Sequence, residues 1–471
     1  MRNLFSIAAL SLILASCSTK QEQAMLIIES KSQQDIDYSV NKRRPSIGYD
    51  PIEISKGKLS SNDSIILIVP LGEPRFIKTK FNNRYYTLYL EPDNSLHITI
   101  TDSSALFVGD GANINNYLAL SRVFWNKCNS DVGKYTAKPP KEYGQFIDSV
   151  SIALENFNSV YLENHSIKNE KWNILTVKNE CELIVLKTIY KLVNPTAFRV
   201  LDSIPKSLLN IYGKLPIDKI YLQMGMQEYF NVLELYNRFE VIFPLTNNVN
   251  ENDSIIAKTP IVAYYKIKET DSLKLANEFL LAKYVSYWLS EKGITPEIDS
   301  IYNDFRNEYS NSKYLASLET HYREFYALTL GQPAPEITGV SMSGDTITLS
   351  SLKGKIVYVD VWATWCGACI EEFPYYEAIQ GEFKDNTEVI FLFVSIDSEK
   401  EKWENYLKNK AIVSGTQILE LKNNKHPTIS ESYKLWGIPR YMLIDKEGEI
   451  INNRASRPSS GKVIDEIKDL L

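Results

Sequence analysis

The residues best suited to chemistry sit within one short stretch. Cys366-Gly367-Ala368-Cys369 follows the apolar run Ile356 to Trp362 after only Ala363-Thr364-Trp365. The run reads as a buried strand, and the residues after Cys366 read as the start of a helix. A cysteine at a helix N-terminus meets unpaired backbone N–H groups and the positive end of the helix dipole, which favour its thiolate. A second cysteine one turn further in is close enough to attack a mixed disulfide made by the first. A Cys-x-x-Cys placed between an apolar strand and a helix is strong evidence for dithiol–disulfide exchange. A structural zinc site would want two more Cys or His ligands at paired spacing, and His426 is the only histidine in this part, so no metal is expected. Two carboxylates flank the pair. Asp360 interrupts the apolar strand six residues before Cys366, and Glu372 lies three residues after Cys369, on the helix side that faces back toward it. A carboxylate buried in apolar surroundings has a raised pKa and can take the proton that Cys369 must lose before it attacks. Glu371 should point to solvent.

The elements that position these residues are legible in the pattern around them. Gly331-Gln332-Pro333-Ala334-Pro335 punctuates the chain, and the hairpin signal Ser343-Gly344-Asp345 follows. Strands are expected at Ile356 to Trp362 and Val389 to Ile396, and helices at Ile370 to Phe383 and from about Lys400 to Asn409. A hairpin is expected around Lys446-Glu447-Gly448, joining Tyr441–Ile444 to Glu449–Asn452, and a closing helix at Lys462 to Leu471. Apolar strands alternating with helices imply a sheet covered on both faces. Residues 331–471 hold all of these elements and are expected to fold and react alone.

Upstream, residues 24–110 carry short alternating runs such as Phe76 to Phe81, Tyr85 to Leu90 and Leu96 to Thr101, broken by Pro, Asn, Asp and Gly, as in a β-sheet or small sandwich. His97 reads there as a packed or surface residue. Residues 111–330 change to a helical period, for example at Tyr143–Tyr161, Trp172–Val193 and Ser272–Leu289, with prolines at 195, 205, 216, 244, 260 and 296 marking helix boundaries. Cys128 and Cys181 fall in this region. They could pair in an oxidising compartment or serve as small buried hydrophobes.

The phrase WATWCGACIEEFP, preceded by LKGKIVYVDV and followed far downstream by WGIPRYMLIDKEGEI, resembles the TlpA/ResA-like branch of the thioredoxin superfamily over about residues 331–471. The segment LYLEPDNSLHITI with FVGDGANINNYL is similar to the N-terminal domain of many thioredoxin-like lipoproteins of the Bacteroidota. Patterning and resemblance together point to a multidomain chain: a β-rich N-terminal domain and an α-helical middle region by their periods, and a C-terminal thioredoxin-like α/β domain by resemblance. The resemblance makes Cys366 the accessible attacking thiol and Cys369 the buried resolving thiol, joined as a redox disulfide. Trp365 precedes them as in the family, and Pro374 matches the proline that kinks the active-site helix. Ile438-Pro439 matches the cis-proline loop, whose backbone pairs with the substrate chain. Glu372 stands where the TlpA/ResA branch carries a glutamate, and Asp360 where thioredoxins carry a buried aspartate. Having both departs from many members of the branch, and the reading prefers Glu372 as the base. Gly367-Ala368 departs from the common Gly-Pro and leaves an extra N–H beside the thiolate.

The N-terminus supplies an address. Residues 1–16 join Arg2 to a short apolar stretch, Leu4 to Leu14, too short to span a bilayer, as in a signal peptide. Leu14-Ala15-Ser16-Cys17 resembles the lipobox of bacterial lipoproteins, in which the cysteine is acylated and becomes the mature N-terminus. Ser18, in place of Asp, favours the outer membrane over the inner one, so the expected location is the cell envelope, lipid-anchored and facing the periplasm. The 471 residues exceed the roughly 250–300 of a single core and imply several domains. Against 58 Asp+Glu stand 52 Lys+Arg, a net charge of −6, which provides no basic field for nucleic acid. The expected function is a membrane-tethered thiol–disulfide oxidoreductase that reduces disulfides of exported proteins without a cofactor. The family implies a membrane electron donor of the DsbD kind. A peroxiredoxin would want Pro-x-x-x-Thr-x-x-Cys, but Ala363 and Val359 occupy those threonine and proline positions. The remaining alternative is a ligand- or protein-binding lipoprotein with an accessory redox domain.

Overall fold

The computed structural model describes residues 23–43, 51–194, 204–209, 211–213, 215–242, 260–409, 414–421 and 427–471. The signal peptide, Cys17, Pro195, Pro244 and His426 lie outside the described residues. The chain divides into two compact units, Met1–Asn250 with Lys266–Leu280 and Glu251–Tyr265 with Leu281–Leu471.

The first unit opens with eight strands: β1 (Gln23–Ser30), β2 (Ile36–Arg43), β3 (Pro51–Leu59), β4 (Ser64–Pro70), β5 (Arg75–Phe81), β6 (Arg84–Leu90), β7 (Ser95–Ile100) and β8 (Ala105–Gly109). They form two four-stranded sheets ordered β4-β1-β7-β8 and β3-β2-β5-β6. Alternation decides which face is buried: Ala24, Leu26 and Ile28 of β1 point inward and join Val40, Ile77 and Leu88 of the other sheet in one core. Three 25-residue helices follow, α1 (Ala112–Thr136), α2 (Pro140–Asn164) and α3 (Asn169–Val193), then α4 (Lys219–Gln223) and α5 (Gln227–Tyr236). Cys128 and Cys181 are buried and both remain free thiols.

The second unit contains a seven-stranded mixed sheet ordered β10-β9-β13-β12-β11-β14-β15. Its strands are β9 (Thr338–Ser341), β10 (Thr346–Thr348), β11 (Ile356–Trp362), β12 (Val389–Ser395), β13 (Thr416–Glu420), β14 (Arg440–Ile444) and β15 (Ile450–Asn452). Central β11 is buried along its whole length, parallel to β12 and antiparallel to β14. Val357, Val359 and Val361 feed the core on one face, and Ile356, Tyr358 and Trp362 the core on the other. The helix expected over Ile370–Phe383 is broken. A short helix Gly367–Ile370 gives way to a 3-10 turn at Phe373–Tyr375 before helix Tyr376–Glu382, because Pro374 has no N–H to continue the ladder. The compact unit also reaches further back than Gly331. Leu328 is buried in the Val357–Val361 core, Lys434 Nζ lies 3.1 Å from Glu324 Oε1, and Arg454 donates to the Ser290 carbonyl.

Candidate active site

Strand β11 aims the site. Asp360 shares a face with Tyr358 and Trp362, and the chain leaving Trp362 runs through a loop fixed by Asp397, which accepts Thr364 N–H at 2.9 Å and Thr364 Oγ1–H at 2.8 Å. Cys366 then caps the helix Gly367–Ile370, its sulfur accepting the Cys369 N–H at 3.2 Å. Cys366 and Cys369 are joined as a disulfide. Cys366 retains 7% exposure and Cys369 none, so an incoming thiol has access only to the first sulfur. Trp365 stands exposed beside them. The Ile438–Pro439 peptide is cis, and Ile438 packs against the cluster holding both cysteines. Val361 pairs with Arg440, so the Pro439 loop lies at the same end of the sheet as the disulfide.

The two carboxylates prove unequal. Asp360 is fully buried; Tyr376 Oη donates to its Oδ2 at 2.8 Å, and its Oδ1 has no hydrogen-bond partner among the described residues. Burial raises its pKa from 3.8 to about 7, the Tyr376 hydrogen bond works against the rise, and the charge of Glu372 adds to it. Glu372 is nearly buried, and both its oxygens are occupied. Oε2 accepts Ser459 N–H at 2.9 Å, Oε1 accepts Ser459 Oγ–H at 3.0 Å, and Arg457 Nη1 lies 3.9 Å from Oε1. Glu371 is exposed. Tyr358 and Tyr441, the latter paired across the strands with Asp360, stack with ring centroids 5.8 Å apart, and Tyr358 Oη donates to the Ser456 carbonyl at 2.6 Å. Desolvation pushes both phenols far above their ordinary value, so they stay neutral.

The structure thus gathers Cys366, Cys369, Asp360, Glu372, Trp365, Ile438 and Pro439 at one end of one sheet. Sequence reasoning missed Tyr376, Ser459 and Arg457. Tyr376 sits one turn beyond Glu372, where an aromatic reads as ordinary core. Ser459 reaches Glu372 across 87 positions of sequence, with no local signal. Among the described residues, no three His, Cys, Asp or Glu side chains come together as metal ligands.

A strand-delivered Cys-x-x-Cys beside a cis-proline loop defines a thioredoxin-type dithiol site. The Redoxin family matches residues 329–467. The thiol-disulfide oxidoreductase ResA of Bacillus cereus is 29% identical over 137 residues, covering 28% of this chain and 75% of that protein. The thioredoxin-like protein YneN of Bacillus subtilis is 26% identical over 132 residues, with the same coverage of both chains. Among solved structures, a putative thiol-disulfide oxidoreductase from Bacteroides vulgatus is 35% identical, covering 31% of this chain and 99% of that one, with a TM-score of 0.28. Residues 329–467 thus form a Redoxin domain whose relatives include ResA/TlpA-like thiol–disulfide oxidoreductases.

Proposed function

We propose that this protein is a membrane-tethered thiol–disulfide oxidoreductase that reduces disulfides of exported proteins through Cys366 and Cys369. The observation that carries the reading is the asymmetry of the pair, one sulfur at the surface end of a helix N-terminus and the other sealed beneath it. In the reducing direction, the Cys366 thiolate attacks one sulfur of a substrate disulfide and expels the other as a thiolate. Cys369 then loses its proton and attacks the mixed disulfide, releasing the second substrate thiol and closing the Cys366–Cys369 bond. Two electrons pass from the dithiol to the substrate. A membrane electron donor of the DsbD kind then restores the dithiol.

The base for the second step is assigned to Asp360, replacing the preference for Glu372 drawn from family resemblance. Asp360 has a free oxygen and a pKa near neutral, the range in which a general base works best. Glu372 has its oxygens taken by Ser459, and its role is electrostatic, keeping Asp360 basic. Trp365 and the Ile438–Pro439 backbone receive the substrate chain beside the disulfide. Cys17 carries the lipid, which holds the protein on the outer membrane facing the periplasm.

Two measurements test this reading. A redox titration of the purified mature chain against glutathione should place the couple below the envelope's oxidising poise, as a reductase requires. A couple as oxidising as the roughly −120 mV of a dedicated oxidant would reverse the direction. Globomycin should block processing, and Cys17→Ala should accumulate as unlipidated precursor; a soluble wild-type product cut elsewhere would remove the tether.

A further inference from the structure

A cavity of about 150 Å³ lies in the first unit, between strands β5 and β6 and helices α1, α3 and α5, and the redox chemistry makes no use of it. Its floor is ionic. Lys178 of α3 is buried, with Nζ 3.3 Å from Glu182 Oε1 and 3.3 Å from Glu228 Oε1. This triad carries one cation against two carboxylates. Burial raises the pKa of Glu182, whereas the Lys178 and Lys78 cations overcome burial and draw that of Glu228 down. Removing three charges from water is costly, and a purely structural role would be served as well by apolar packing. Instead the triad borders a cavity.

The same lining presents donors. Lys78 of β5 uses one N–H on Thr87 Oγ1 at 2.9 Å and keeps two more. Arg122 of α1 lies over the Tyr86 ring at 4.9 Å and donates through Nη1 to the Tyr85 carbonyl, while its buried Nε has no hydrogen-bond partner among the described residues. Tyr86 and Trp125 supply apolar wall. Carboxylates on α3 and α5 suit an ammonium, cationic donors on β5 and α1 suit a carboxylate, and aromatic surface completes the lining.

We infer that this cavity is a binding site for a small zwitterion, an amino acid or dipeptide, whose ammonium meets Glu182 and Glu228 and whose carboxylate meets Lys78 and Arg122. The site lies outside the dithiol domain and does not depend on the function proposed above.

The test is calorimetric titration of the full mature chain with the twenty amino acids and a set of unblocked dipeptides. N-acetylated and C-amidated forms of any hit serve as probes of the two ends. At least one zwitterion should bind with Kd below about 1 mM, and either blocking group should weaken it about tenfold or more. Arg122→Gln, outside the Lys178–Glu182–Glu228 triad, should weaken it about tenfold while leaving disulfide exchange unchanged. Lys178→Met tests the floor, with its far-ultraviolet spectrum and melting curve checked first. The inference is overturned if no amino acid or dipeptide binds below about 1 mM, if blocked and unblocked forms bind alike, or if Arg122→Gln binds as well as wild type.

Discussion

Replacing Asp360 by Asn removes a buried ionisable group without changing its shape, and the consequence has two parts of opposite sign. In the unfolded chain this carboxyl titrates near 3.9, whereas in the fold it holds its proton up to about 7. Between those values the folded state binds more protons than the unfolded one, so stability falls as pH rises through the window. About three units at 1.36 kcal/mol each set a ceiling of about 4 kcal/mol on the cost of Asp360 above pH 7. Asparagine does not carry that cost. Its amide nitrogen, standing where Oδ1 lacks a partner, brings a pH-independent penalty of about 1–3 kcal/mol. Asp360→Asn should therefore gain stability relative to wild type between pH 5 and pH 8, by up to about 3 kcal/mol in the difference, since about two of those units fall within that span. Urea unfolding of the oxidised proteins at the two pH values measures this directly. The resolving step should meanwhile slow by about 10²-fold or more, the usual loss when a general base is removed, with the first attack by Cys366 nearly unchanged. A stability difference independent of pH would refute the burial argument, and an unaltered resolving rate in stopped flow would refute the base assignment.

The groups around Asp360 should shift that behaviour in opposite directions. Tyr376→Phe removes the hydrogen bond that holds Asp360 acidic, so the pH profile of resolution should move to higher pH and the rate at pH 6 fall about 2- to 10-fold, the equivalent of 0.5–1.5 kcal/mol. Glu372→Gln removes a charge that keeps Asp360 basic, so the profile should move to lower pH, with less than a tenfold change in the plateau rate; a loss of 10² there would return the base role to Glu372. A fragment beginning at Gly331 discards Leu328 from the core and should be less stable than one beginning at Ala327 by about 2 kcal/mol, so equal urea midpoints would contradict that packing.

Much of the dithiol domain was legible because its signals are local. The run Ile356–Trp362 is uniformly apolar apart from Asp360, and a strand buried on both faces reads that way. Strand β13, Thr416–Glu420, was missed because TQILE is short and half polar; it exists by pairing with β12 and β9. The Gly331–Pro335 punctuation is local and legible, whereas the packing of Leu328 and the Glu324–Lys434 pair onto the same unit has no local signal. Within the site, the cysteines and both acids were evident from type and spacing. What separates the acids was not, since Ser459 and Tyr376 meet them only in the folded chain.

The central claim is that Cys366 attacks and Cys369 resolves. Trapping tests it most directly: reduced Cys369→Ser and Cys366→Ser variants are exposed to a disulfide-containing protein, quenched in acid, and mapped by mass spectrometry. The account predicts a mixed disulfide accumulating on Cys366 in Cys369→Ser, and no adduct on Cys369 in Cys366→Ser, because that sulfur is sealed from solvent. Adducts on Cys369, or equal trapping by both variants, would contradict it.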